Sequence, residues 1–192
     1  RLALAEAGIA TTSRLLDIHL AKQQLSDAYR ALNPHMTVPT LRGPGLLLTD
    51  SADILAFAAD HAGEAWADAD AALAPAIRSA VQGHYAISIE TLTFSKVLAS
   101  RPLLQPLVAR LLSSLSRQLD QRAAHTAVDP EALRAKAQQD RDRLHTFTAT
   151  PASETLAAMR EQVCAYLNGL PPVAEGQWLF GGRISSADVV LA

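Results

Sequence analysis

Strand-forming signals stop at Gly63. Before it, extended and helical patterns alternate; after a short polar connection over 64–70, almost everything favours helix and is rich in Ala, Leu, Gln and Arg. A sequence whose strand signals all lie before one point is hard to fold as one mixed layer. It predicts a small α/β unit over 1–63 followed by an all-helical unit over 71–192, an α+β chain. The 49 % of apolar residues is enough to bury a sizeable core.

Within the first unit, residues 1–7 are helical and Gly8 is a C-cap. The β-branched stretch 11–18 reads as a strand. Leu25, Tyr29 and Leu32 fall at helical spacing over 24–32, and Asn33-Pro34 ends that helix. A short strand over 38–42, turn chemistry at 43–45 and an apolar run over 46–49 form a hairpin. A helix follows, with Ile54, Phe57 and Ala58 on one side and Gly63 as its stop. The order is α-β-α-β-β-α. Pro39 stands inside a strand, where it removes a ladder hydrogen bond.

In the helical unit, a helix over 71–99 is expected to break near Pro75, and Arg101-Pro102 separates it from the next. Leu104, Val108, Leu111, Leu115 and Leu119 make a buried stripe on that next helix. Asp129-Pro130 is a helix start, and 136–143 reads as a solvated face. Leu156, Met159, Val163 and Tyr166 or Leu167 share the apolar face of a helix over 155–167. Asn168-Gly169 and Pro171-Pro172 stop it. Ser185 and Asp188 form a capping box in its acidic form, with Ile184 and Val189 spaced as a hydrophobic staple. The helical opening at Arg1 and the strong helix start near the other end predict a natural protein that continues in both directions.

Composition narrows the function. Seventeen Lys and Arg against 19 Asp and Glu, scattered along the chain, argue against a nucleic-acid groove and a polybasic membrane surface. The apolar runs fall far short of the ~20 residues needed to span a bilayer. The single cysteine, Cys164, excludes an internal disulfide and favours a reducing, cytoplasmic setting. Cys164 reads as a small core residue on its helix, and Trp66 and Trp178 read as packing residues. Histidines 19, 35, 61, 84, 125 and 145 have no metal-ligand spacing, so no metal is expected. Residues 43–45 are no phosphate loop, because a strand follows. There is no G-x-S-x-G hydrolase motif.

The stretch NPHMTVPTLRGPGLLLTDSADILAFAADHAG (33–63) resembles the signature of the glutathione S-transferase superfamily, and FGGRISSADVVLA (180–192) resembles the folding module of its helical domain. The long middle region is similar to that of the subgroup of tetrachlorohydroquinone reductive dehalogenase. The resemblance implies a thioredoxin-like first domain whose first strand is missing from this chain. It also implies a cis Val38–Pro39 bond that turns the Val38 main chain outward, to pair with an extended peptide as an added strand would. It places the γ-glutamyl end of glutathione at Asp50 and Ser51, where a helix N-terminus favours an anion and Asp50 faces an ammonium. Many relatives carry Glu in place of Asp50, so the reach here is shorter. Thr37, and Gln23 or Gln24, fall near the glycyl end. His84 and Tyr85 lie on the helix from which relatives line their electrophile pocket, though ordinary packing is the favoured reading of both. The catalytic Ser, Tyr or Cys that holds the thiol as thiolate is expected upstream of Arg1. The implied protein is a homodimeric enzyme that conjugates glutathione to a small hydrophobic electrophile, or uses it to reduce one. The alternative is a non-catalytic binding or interaction protein of the same kind.

Overall fold

The computed structural model describes residues 1–18 and 20–192; His19 lies outside the described residues. The chain divides into two compact units. One contains Arg1–Asn33, Thr37–Ala86 and Ala165–Ala192; the other contains Pro34–Met36 and Ile87–Cys164.

The first unit opens with α1 (Leu2–Glu6) and continues through a 3-10 turn (Gln23–Leu25) into the single-turn α2 (Asp27–Arg30). The continuous helix expected over 24–32 is broken at Ser26. Its backbone is extended (φ −69°, ψ 152°), and its hydroxyl accepts from the Tyr29 N–H at 3.3 Å. A serine that can cap competes with the helix it would otherwise sit in. The strand expected over 11–18 is not formed. Those residues are mostly exposed coil, and among the described residues no strand pairs with them. β-propensity alone does not make a strand without a second strand to pair with.

The hairpin is present. β1 (Leu41–Gly43) runs antiparallel to β2 (Leu46–Leu48), with Leu41 opposite Leu48 and Gly43 opposite Leu46. Pro44 and Gly45 make the two-residue connection. Gly45 has φ +68°, the sign that the third position of a type II turn requires. α3 (Ser51–Ala62) starts on Asp50, whose carboxylate accepts from the Ala52 N–H at 2.7 Å, and ends at Gly63, where φ is +54°. Its Ile54, Leu55 and Ala58 are buried with Ala3, Leu4 and Trp66 in one core.

α4 (Ala74–Tyr85) carries Pro75 in its first turn, where the missing N–H costs nothing. The helical break therefore falls at 86–88 and not at Pro75. α4 adds Ile77 and Ala80 to a second core shared with Ala67, Leu179 and Ala187. The last helix of the chain, α9 (Ser186–Leu191), has the expected capping box. Ser185 N–H and Oγ donate to Asp188 Oδ2 at 2.8 and 2.6 Å, and Asp188 N–H donates to Ser185 Oγ at 3.4 Å. Ile184 and Val189, the staple pair, both pack on the first core. Trp66 is a core residue as expected, but Trp178 is 47 % exposed, in a tight turn bridged to Gly181.

The second unit is helical. α5 (Ile89–Ser100) starts on Ser88, which accepts from the Thr91 N–H; α6 (Gln105–His125) and α7 (Pro130–Ala149) follow. Asp129 caps α7 by accepting from the Ala132 N–H at 3.1 Å. On α6, Leu119 is buried and Val108 and Leu115 are half-buried, but Leu111 is 51 % exposed; Leu104, half-buried, precedes the helix as its N-cap. The 136–143 stretch is not a uniformly solvated face. Lys136 and Asp140, one turn apart, are buried. Lys136 Nζ donates to Gln139 at 2.7 Å, and Arg143 bridges Asp140 and Glu90. Burial pushes the Lys136 amine below its ordinary value, and the Arg143 charge adds to the effect. α8 (Ala152–Asn168) keeps Leu156, Met159, Val163 and Tyr166 on one half-buried face. Cys164 is exposed and not a core residue: one position beyond Val163, it is turned ~100° off that stripe. Among the described residues, no helix is long and apolar enough to cross a membrane.

Candidate functional site

The hairpin register determines which sequence-predicted residues meet. Leu41 faces Leu48 at the open end of the ladder; Pro39 lies two residues before Leu41, and Asp50 two residues after Leu48. The chain enters the hairpin through Thr37, Val38 and Pro39 and leaves it through Asp50 and Ser51. All five therefore lie at the same end, across from the Pro44-Gly45 turn.

The two sides offer different chemistry. On the entering side the Val38–Pro39 bond is cis, the isomer that the resemblance implies. Val38 is 42 % exposed, and among the described residues its N–H and C=O have no hydrogen-bond partner. Val38 lies in a bend before β1, because the strand expected over 38–42 begins only at Leu41; its main chain offers one donor and one acceptor. On the leaving side, the first turn of the twelve-residue α3 presents free N–H groups and the positive end of its dipole. Ser51 is half-buried, and its hydroxyl makes no hydrogen bond to a described residue. Asp50 has one carboxylate oxygen committed to the Ala52 N–H, while the residue itself stays exposed. The group offers a main-chain donor and acceptor on the entering side, and free N–H groups, a hydroxyl and a carboxylate on the leaving side.

Two residues that sequence reasoning passed over organise the entering side. Tyr29 Oη donates to the Thr37 C=O at 2.6 Å and pairs with Thr40 Oγ1 at 2.9 Å. The fully buried Asn33 donates from Nδ2 to the same Thr37 C=O at 2.8 Å, with longer contacts to the Thr37 and Thr40 hydroxyls at 3.2 and 3.3 Å. Tyr29 was legible only as part of a helical stripe, and Asn33 only as the first half of a helix-stopping Asn-Pro. The available signal was the pair of threonines, Thr37 and Thr40, bracketing the proline.

Gln23 and Gln24 are engaged elsewhere. Gln23 Oε1 accepts from the Asp17 N–H at 2.8 Å, and Gln24 Nε2 donates to the Ile18 C=O at 3.3 Å. His84 packs edge-on to Tyr85 and Tyr166, with ring centroids 5.6 and 6.5 Å away. Tyr166 in turn donates to the Ala80 C=O at 3.0 Å, and burial raises its phenol above the ordinary value. Its ring lies against Gly83, where an added Cβ would sit 2.8 Å from it. Among the described residues, no three His, Cys, Asp or Glu side chains converge as metal ligands would.

Residues 1–61 match the family model described as glutathione S-transferase, N-terminal domain. No curated protein and no solved structure matches the chain at a significant level.

Proposed function

We propose, from a chain whose residues 1–61 belong to the glutathione S-transferase superfamily as its N-terminal domain, that the protein is a glutathione-dependent enzyme. It conjugates glutathione to a small hydrophobic electrophile, or uses it to reduce one. The observation that carries this reading is the pairing of two half-sites at one end of the hairpin. The open main chain of Val38, with Pro39, suits the cysteinyl backbone of glutathione. Ser51 and the start of α3 suit the γ-glutamyl carboxylate, and Asp50 suits its ammonium. Thr37 lies toward the glycyl end.

The residues named here bind and orient. The Val38 pair fixes the cysteinyl unit and so the direction of its sulfur. The α3 N-terminus and the Ser51 hydroxyl add charge-assisted hydrogen bonds to a carboxylate. Electrostatically, Asp50 and the α3 dipole stand side by side at the γ-glutamyl end, a negative charge for the ammonium next to a positive helix end for the carboxylate. The reading extends to a homodimer working in a reducing, cytoplasmic compartment. It also includes the dehalogenase-like subgroup as the source of its long middle region.

Calorimetry with millimolar glutathione tests the binding half of this reading, and consumption of glutathione in the presence of a chlorinated aromatic electrophile tests the chemistry. Binding with turnover supports the enzyme. Binding without turnover across a panel of electrophiles moves the reading to a glutathione-binding protein. Absence of binding removes both.

A further inference from the structure

Thr37 and Thr40 stand on either side of the Val38–Pro39 pair, and the same two side chains hold both. The Thr37 C=O accepts from Tyr29 Oη and from Asn33 Nδ2. The Thr40 hydroxyl is within reach of the same two groups. Since the single Tyr29 proton goes to the carbonyl at 2.6 Å, the Thr40 hydroxyl donates to Tyr29 Oη.

The Thr37 carbonyl belongs to the same peptide group as the Val38 N–H. That group is planar, and in a trans peptide the C=O and N–H point in opposite directions. Two donors draw the carbonyl toward Asn33, which is fully buried. The Val38 N–H must then point away from Asn33, and it has no partner among the described residues. Without the clamp, rotation of the Thr37–Val38 plane would aim the carbonyl outward and present an acceptor where a ligand needs a donor.

We infer that Tyr29 and Asn33 are positioning residues: they hold the Thr37 carbonyl inward and thereby aim the Val38 N–H at a backbone carbonyl of the bound peptide. The role in binding rests on the glutathione reading, whereas the aiming itself does not. Both residues act through Thr37 and touch no ligand. Their contribution is to orient a donor before binding, so the ligand does not have to order it.

The test uses Tyr29→Phe, which removes the hydroxyl and keeps the ring. Thr40→Val removes the second hydroxyl of the clamp, and Thr40→Ser restores it. Two quantities are read on protein shown to be folded by its unfolding midpoint. The first is the ¹⁵N order parameter of the Val38 N–H without ligand; the second is the Kd for glutathione. Expected for Tyr29→Phe is a fall of the Val38 order parameter from rigid values near ~0.85 toward ~0.6. Glutathione binding should weaken about three- to tenfold, the size of one lost hydrogen bond. Thr40→Val should move both readouts in the same direction by less, and Thr40→Ser should restore them. An unchanged Val38 order parameter in folded Tyr29→Phe overturns the inference, as does an unchanged Kd when the wild type binds. A wild type that does not bind glutathione, with Val38 loosened in the variant, supports the aiming and removes the glutathione reading instead. If Tyr29→Phe does not fold, the Thr40 pair decides on the same two readouts.

Discussion

Asp188→Ala should destabilise the first unit more than any other single change at the start of α9. Asp188 holds three donors: the Ser185 N–H at 2.8 Å, the Ser185 hydroxyl at 2.6 Å and the Leu179 N–H at 2.8 Å. Ser185 is fully buried and Leu179 nearly so, so water cannot replace what is removed. An orphaned buried donor costs roughly 1–3 kcal/mol, and two main-chain N–H groups would be left without an acceptor. Loss of the cap is part of the same count. The expected cost is about 2–5 kcal/mol, a large share of the ~5–15 kcal/mol that holds a domain together. Ser185→Ala loses less. It forfeits the hydroxyl bond and a long 3.4 Å cap contact, but leaves both N–H groups on Asp188, so about 0.5–2 kcal/mol is expected. Urea unfolding measures both. The midpoint should fall in the order Asp188→Ala, Ser185→Ala, wild type, with similar slopes. Glutathione affinity of the still-folded protein should be unchanged. Equal costs for the two variants, or a larger one for Ser185→Ala, would refute the claim that Asp188 is the centre of this network. A loss of ligand affinity at full folding would assign the capping box to the binding site.

Ser51→Ala should weaken glutathione binding by roughly 1–3 kcal/mol, read by calorimetry, because a hydrogen bond to a charged carboxylate is lost; an unchanged Kd would leave Ser51 as a helix-start residue only. Gly83→Ala should cost roughly 1–3 kcal/mol by overpacking, since the new Cβ meets the Tyr166 ring at 2.8 Å; adding Tyr166→Leu should recover most of the midpoint if that ring is the obstacle. Lys136 has a folded-state pKa lowered by burial, so between that value and 10.5 the unfolded chain binds more protons and stability rises with pH. Lys136→Met should flatten that rise and raise stability at neutral pH, as difference curves of unfolding free energy against pH would show. A curve for Lys136→Met parallel to the wild type would mean the amine is effectively solvated when folded.

The features legible in the sequence are those made by residues two to four apart. Asp50, Asp129 and the Ser185–Asp188 box cap helices through hydrogen bonds that close within one turn, so residue identity and spacing suffice to find them. The Pro44-Gly45 turn is equally local. Val38, Pro39 and Ser51 were readable as site residues only through the resemblance of 33–63 to the family signature; the turn itself fixes just the pairing of 41–43 with 46–48. Tertiary structure decided the rest. Residues 11–18 have strand propensity, but among the described residues no strand runs beside them, and a ladder needs two chains of backbone groups. An apolar stripe states that a helix has a buried face without stating how far it extends, so Leu111 and Cys164 lie exposed while Lys136 and Asp140 are enclosed. The sequence-based boundary near residue 64 follows a change of periodicity. Packing follows apolar surface instead, and α4 and residues 165–192 gather with the N-terminal part in one compact unit. Tyr29 and Asn33 reach Thr37 across eight and four residues through an irregular turn, where side-chain direction depends on a backbone path that no periodicity predicts.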